Sequence, residues 1–194
     1  LIRAATRESD DDALVALARD HGVDIHRGST DDVLDRFAAA ARTVGAETVV
    51  RVCADNPLVA PEVVDAAIEA FADSRPDYAF NLVPRLGLDI VDGLGAEVLD
   101  AGLLANLADR ATEPMEREHV TKFIWDRADE FRILAVTCRS DWRADGRPIR
   151  LDVDRPADLE FLRHLCRGMT PEVSAADVVA AWKALAPDRT QEAS

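Results

Sequence analysis

Along the chain, short aliphatic and β-branched runs alternate with longer stretches whose apolar residues return every three or four positions. Residues 1–6 predict a strand. Ser9, Asp10, Asp11 and Asp12 then supply N-capping groups and acids that suit a helix dipole. The helix they open carries Leu14, Leu17 and Ala18 on one face and closes near His21 and Gly22. A short strand at 23–26 leads through the turn Gly28-Ser29-Thr30 into a second helix with Val33, Leu34 and Phe37 as its core stripe, ending near Gly45. Residues 48–53 form the strongest predicted strand, β-branched and nearly continuous, as expected of a strand covered on both faces. It stops at Ala54-Asp55-Asn56-Pro57, and a third helix over 61–71 begins with proline in its first turn.

Further on, the pattern predicts strands at 77–80, 96–99, 131–137 and 149–153, with a Gly-, Asp- and Pro-rich loop over 81–95. Helices are expected at 100–108, 116–128 and 157–167. Ser174 caps a last one running to Leu185, and the tail after Pro187 is expected to fray. Strands separated by helices of this length make an α/β fold, a mostly parallel sheet with helices on both faces. The length suits a single domain over 1–194, with the middle section the place for an insertion or antiparallel excursion.

Composition narrows the function classes. The 194 residues are 48% hydrophobic and 31% charged, a globular mixture, with 23 Lys+Arg against 37 Asp+Glu and a net charge of −14. That balance argues against nucleic-acid binding and against adhesion to anionic membranes. A small anionic ligand stays compatible if a divalent cation bridges carboxylates to phosphates. Cys53, Cys138 and Cys166 are scattered and odd in number, which fits a reducing cytoplasm. No Cys has a His at metal-ligand spacing, so zinc is not expected. Trp125, Trp142 and Trp182 suit packing or an interface, and the two lysines, Lys122 and Lys183, stand in no phosphate-loop context. The chain opens at Leu1 inside a strand-like run without a methionine, pointing to a removed N-terminus or a fragment.

In an open α/β sheet, ligands bind at the carboxyl ends of strands. Asp55 follows the strongest strand and Asp154 the last one, and neighbouring strands bring such residues together. Two carboxylates with room for water and phosphate oxygens are what Mg²⁺ requires. The alternative is that both only cap the helices that follow.

The run Arg51-Val52-Cys53-Ala54-Asp55-Asn56-Pro57-Leu58 resembles the metal-binding strand end of sugar-activating cytidylyltransferases. The resemblance is to the spore-coat-polysaccharide type, related to the acylneuraminate and 3-deoxy-manno-octulosonate enzymes. His26-Arg27-Gly28-Ser29-Thr30-Asp31-Asp32-Val33-Leu34 resembles that family's turn below the base site. Asp92-Gly93-Leu94-Gly95-Ala96-Glu97 resembles its sugar-side loop, and Arg117-Glu118-His119-Val120-Thr121 its short helix motif. Asp154-Arg155-Pro156-Ala157-Asp158-Leu159-Glu160 resembles its second metal-site segment. These motifs follow the family's order over nearly the whole chain.

The resemblance implies a Rossmann-like nucleotide-diphospho-sugar transferase fold and a reaction of CTP with a sugar, giving a CMP-sugar and pyrophosphate for polysaccharide or glycan biosynthesis. Asp55 and Asp154 would hold Mg²⁺ and carry the catalysis. Gly28, Ser29, Asp32 (or Asp31) and Arg51 would meet the nucleotide, and Asn81, Arg85, Asp92, Glu97, Arg117 and His119 the sugar. A homodimer through 81–127 follows from the same resemblance. Several of these residues also have plainer readings: an ordinary turn at 28–32, an exposed helix face at 117–119, and pairing of Arg51 with a core acid. Gly95 stands where many relatives carry a second aspartate. The family's glycine- and arginine-rich N-terminal loop, ending in a lysine, does not occur in this sequence. Without the strand that precedes that loop, both neighbouring strands are expected to show unpaired edges. Two other classes therefore stand beside the transferase: a non-catalytic interaction module of the same fold, and a glycosyltransferase using a nucleotide-sugar.

Overall fold

The computed structural model describes residues 1–81, 91–137, 142 and 149–185. Arg85 and Cys138 lie outside the described residues. The chain forms two compact units: Leu1–Val49 with Pro76–Tyr78 and Leu99–Ile133, and Val50–Arg75 with Ala79–Val98 and Leu134–Ser194.

In the first unit, β1 (Ile2–Thr6) and β2 (Asp24–Gly28) pair in parallel, with Ile2 opposite Asp24 and Thr6 opposite Gly28. Between them, a 3₁₀ turn at Ser9–Asp11 precedes α1 (Asp12–Asp20). The acids before α1 do not cap it through their side chains; instead Asp11 Oδ2 accepts the Thr6 N–H at 2.5 Å. The next helix, α2 (Val33–Val44), is capped by Asp32, whose Oδ1 accepts the Asp35 N–H at 2.9 Å, and is closed by Gly45 in the left-handed region. Leu34, Ala38, Ala40 and Ala41 of α2 are buried.

Strand β3 (Thr48–Arg51) is shorter than its sequence pattern predicts. Two-sided cover is absent as well: Val50 and Val52 are 38% and 40% exposed. It joins a four-stranded sheet of order β3-β5-β4-β6, where β4 is Tyr78–Phe80, β5 is Glu97–Asp100 and β6 is Ile133–Ala135. Among the described strands, β1 has β2 as its one partner and β3 has β5, so each keeps one edge without a neighbour. Helix α3 (Pro61–Ser74) starts with Pro61, and α4 (Ala101–Arg110) is capped by Asp100, which accepts from Gly102 and Leu103.

The helix predicted over 116–128 divides into α5 (Pro114–Glu118) and α6 (Lys122–Asp126). The chain leaves helical geometry at His119 and buries Val120 and Thr121. Burial of this pair outweighs the helical periodicity around it. Trp125 meets Tyr78 edge-on, with ring centroids 5.5 Å apart, and the Arg127 guanidinium stacks on Phe123 while bonding Glu116 at 2.7 Å.

In the second unit, α7 (Pro156–Leu165) and α8 (Ala175–Leu185) pack over the main core. That core includes Val63, Leu94, Ile149, Leu151, Leu162, Val179, Trp142 and Trp182, so the two tryptophans serve packing. Ser174 caps α8 by accepting from the Asp177 N–H, and Glu62 of α3 accepts from the Ala175 N–H at 3.1 Å. No helix among the described residues is long and apolar enough to cross a membrane.

Candidate active site

The second unit gathers its acids through backbone bonds. Residues 149–153 form a single parallel bridge, Asp92 with Arg150, rather than a full strand. The Asp92 N–H donates to Ile149 O at 3.0 Å, and the Leu151 N–H returns to Asp92 O at 3.0 Å. The Val153 N–H donates to Asp55 O at 2.8 Å, and the Ala60 N–H to Leu94 O at 2.9 Å. Three segments are thus held side by side, each contributing carboxylates. Gly93 makes the close approach possible: its φ is 96°, and a Cβ there would lie 2.7 Å from the Leu151 carbonyl carbon.

Extended backbone sends alternate side chains to opposite faces. Ile149 and Leu151 face the core, which leaves Arg150, Asp152 and Asp154 on the other side. Asp55, Asp92, Asp152 and Asp154 then form one electrostatic cluster. Burial, followed by the charges of Asp152 and Asp154, holds Asp55 above the usual carboxylate range. Burial and the same neighbours push Asp92 up to about 6. Arg150 ion-pairs with the cluster, and the charge of Arg51 also acts on Asp55. Arg150 bonds Asp152 through Nε and Nη2 and reaches Asp154 Oδ2 at 2.7 Å. Neither Asp55 nor Asp154 caps a helix, because Ala60 and Arg155 occupy the N-cap positions of α3 and α7. The capping alternative therefore falls away.

Asp152 and Arg150 belong to this charged cluster although the sequence reading did not single them out. The alternation Ile149-Arg150-Leu151-Asp152-Val153-Asp154 carries the signal that identifies them.

Other site candidates are brought together in pairs. Arg51 ion-pairs with Glu97, whose side chain is 1% exposed, which is the core-acid pairing the sequence left open. Asn81 is buried: it donates to Val63 O at 2.6 Å and accepts from the Ala96 N–H at 3.0 Å. It also explains Gly95, where a Cβ would lie 2.2 Å from Asn81 Oδ1 and leave no room for an aspartate.

In the first unit, Arg117 grips Asp32 through Nε and Nη2 and the carbonyls of Ala108 and Ala111 through Nη1. Ser29 Oγ accepts the Asp32 N–H at 3.1 Å, and Gly28 packs against Arg36. His119 ends α5 with its side chain exposed. Cys53 has its thiol pushed up to about 11 by burial, which suits a packing residue rather than a nucleophile.

The chain is similar to known proteins in sequence and in fold. The family model for cytidylyltransferase matches residues 2–178. The spore coat polysaccharide biosynthesis protein SpsF of Bacillus subtilis is 32% identical over 182 residues, covering 92% of this chain and 72% of its own. An uncharacterised protein of Methanocaldococcus jannaschii is 32% identical over 165 residues, covering 85% of this chain, which spans 65% of that relative's length. A cytidylyltransferase structure from Leptospira borgpetersenii superposes with a TM-score of 0.84 at 25% identity, covering 94% of this chain and 75% of that one. The structure of CMP:2-keto-3-deoxy-manno-octonic acid synthetase complexed with CTP shares the fold at a TM-score of 0.54 and 17% identity, covering 84% of this chain and 79% of its own. A family match over nearly the whole chain, on an α/β fold that gathers its acids where such folds bind ligands, leads to one conclusion: the chain belongs to the cytidylyltransferase family.

Proposed function

We propose that this protein transfers CMP from CTP to a sugar, with release of pyrophosphate, in the biosynthesis of a polysaccharide. The observation that carries the reading is the cluster of Asp55, Asp92, Asp152 and Asp154. The four carboxylates outnumber the arginines that act on them among the described residues, Arg150 and Arg51, which suits a polyanionic substrate arriving with a divalent cation.

The donor set fits Mg²⁺. Among the described residues no group of three or more His, Cys, Asp or Glu is placed to hold a metal ion by itself. Mg²⁺ does not need one, since it takes one or two carboxylates and completes its shell with water and substrate phosphates. Asp55 and Asp154 would hold it, and the ion would polarise the α-phosphate and spread its developing charge. The chain's own part is to orient. Its backbone frame fixes the carboxylates, and in-line attack by a sugar hydroxyl depends mainly on positioning. Asp92, inside the cluster, would accept a sugar hydroxyl, with exposed His119 a further sugar contact. Asn81, Glu97, Arg51, Asp32 and Arg117 would act one step back, holding the loops that meet sugar and nucleotide. A cytoplasmic location and a homodimer through 81–127 complete the proposal. The scattered cysteines support the first, and Met115, 50% exposed in that stretch, supports the second.

The test is pyrophosphate release from CTP and Mg²⁺ by the full-length protein across a panel of sugars and sugar acids, with sedimentation for the dimer. Turnover that disappears in Asp55→Asn supports the reading. A folded protein inert with every sugar, and without calorimetric affinity for CTP and Mg²⁺, overturns it.

A further inference from the structure

The acid cluster already contains a cation of its own. Arg150 Nη2 bonds Asp152 and Asp154 together, and Nε adds a bond to Asp152 Oδ1 at 3.1 Å. The two carboxylates differ in setting: the Asp152 side chain is 9% exposed and that of Asp154 is 55% exposed. Arg150 itself is 52% exposed, so its guanidinium has solvent on one side. An ion pair that open is weakened by solvent screening and is readily exchanged. The backbone of Arg150 is pinned by the bridge to Asp92, so the guanidinium can leave Asp154 by side-chain rotation alone.

On the reading that Asp154 holds a divalent cation, the guanidinium and the metal want the same carboxylate. We propose that Arg150 is a resident counter-cation that competes with the divalent metal for Asp154, lowering the site's affinity for metal alone. Asp152, more buried and doubly bonded to Arg150, is the anchor on which the guanidinium stays when Asp154 is taken. The arrangement weakens binding of free metal at a site that must otherwise assemble with its substrate. A guanidinium serving only to orient the carboxylates would have the opposite effect, because its removal would weaken metal binding.

The two signs are separable by Mn²⁺ titration of the full-length protein without nucleotide, followed by electron paramagnetic resonance. Removing one positive charge at this range is expected to tighten Mn²⁺ binding about tenfold in Arg150→Gln. The gain should vanish in the double variant Arg150→Gln with Asp154→Asn. Arg150→Lys keeps the charge but loses the forked geometry; it should show a smaller gain of about threefold and serves if the glutamine variant fails to fold. Unchanged or weaker Mn²⁺ binding in a folded single variant overturns the proposal, as does a gain that survives loss of Asp154. CTP turnover in the same preparations separates the two ideas. An Mn²⁺ gain with no turnover by the parent protein sinks the transferase reading alone, and normal turnover without the gain sinks the role of Arg150 alone.

Discussion

Two charged clusters, one in each unit, are built on opposite plans. In the first unit, Asp32 caps α2 with one oxygen and takes Arg117 on the other, while Arg117 spends its remaining donors on the carbonyls at the end of α4. Every charge there has a fixed partner. In the second unit, four carboxylates gather beside the half-exposed Arg150, and two of them are held above their usual range. Matched charge stabilises a fold, whereas unmatched charge stays only where something else tolerates or uses it. The contrast separates motif residues whose charges are matched from those that stand in a cluster with excess negative charge.

The sharpest break in that contrast is Asp55→Asn or Asp154→Asn. Each should lower pyrophosphate release by about 10²-fold or more, and Asp55→Asn should leave the melting temperature equal or higher, since burial and its acidic neighbours disfavour the Asp55 charge. A large fall in melting temperature would move these residues to the structural side. Glu97→Ala comes next: breaking a pair whose acid is buried should cost about 3 kcal/mol in denaturant unfolding. Arg117→Ala should cost about 2 kcal/mol by leaving Asp32 and two carbonyls without this donor, and Arg117→Lys should recover only part of it.

The smallest effect has the opposite sign. Asp92 titrates near 6 in the fold against a usual 3.8, so the folded state binds the proton more tightly than the unfolded chain. Its stability contribution is full below 3.8 and is lost as pH rises through about 6. Asp92→Asn should therefore stabilise the protein by about 1–2 kcal/mol at pH 8, with the difference vanishing near pH 4 in thermal melts. A variant less stable than the parent at pH 8 would place Asp92 among the matched charges.

Local signals were readable where one residue decides one conformation. Pro61 opening α3, Gly45 closing α2 and Ser174 capping α8 are such cases. Where burial competes with periodicity, the signal failed. Val120 and Thr121 sit in a helical pattern yet go into the core, splitting one helix into two. Arg51 and Arg117 illustrate the limit at the site: the motif marks them, but a guanidinium's partner lies 46 or 85 residues away. Asp152 was missed although its alternation with Leu151 and Val153 was visible. It lies two residues ahead of the motif that begins at Asp154.

The hydrophobic pattern was enough to set the fold class, and composition the acidic character, because these depend on residue type and spacing; the family entered through the resemblance of its motifs. Which acids act together followed from the bonds joining Asp55, Asp92 and residues 149–153, contacts between segments remote in sequence. The same bonds place Arg150 across Asp152 and Asp154. Charge becomes function through distance and desolvation, and both arise only when those segments close on one another.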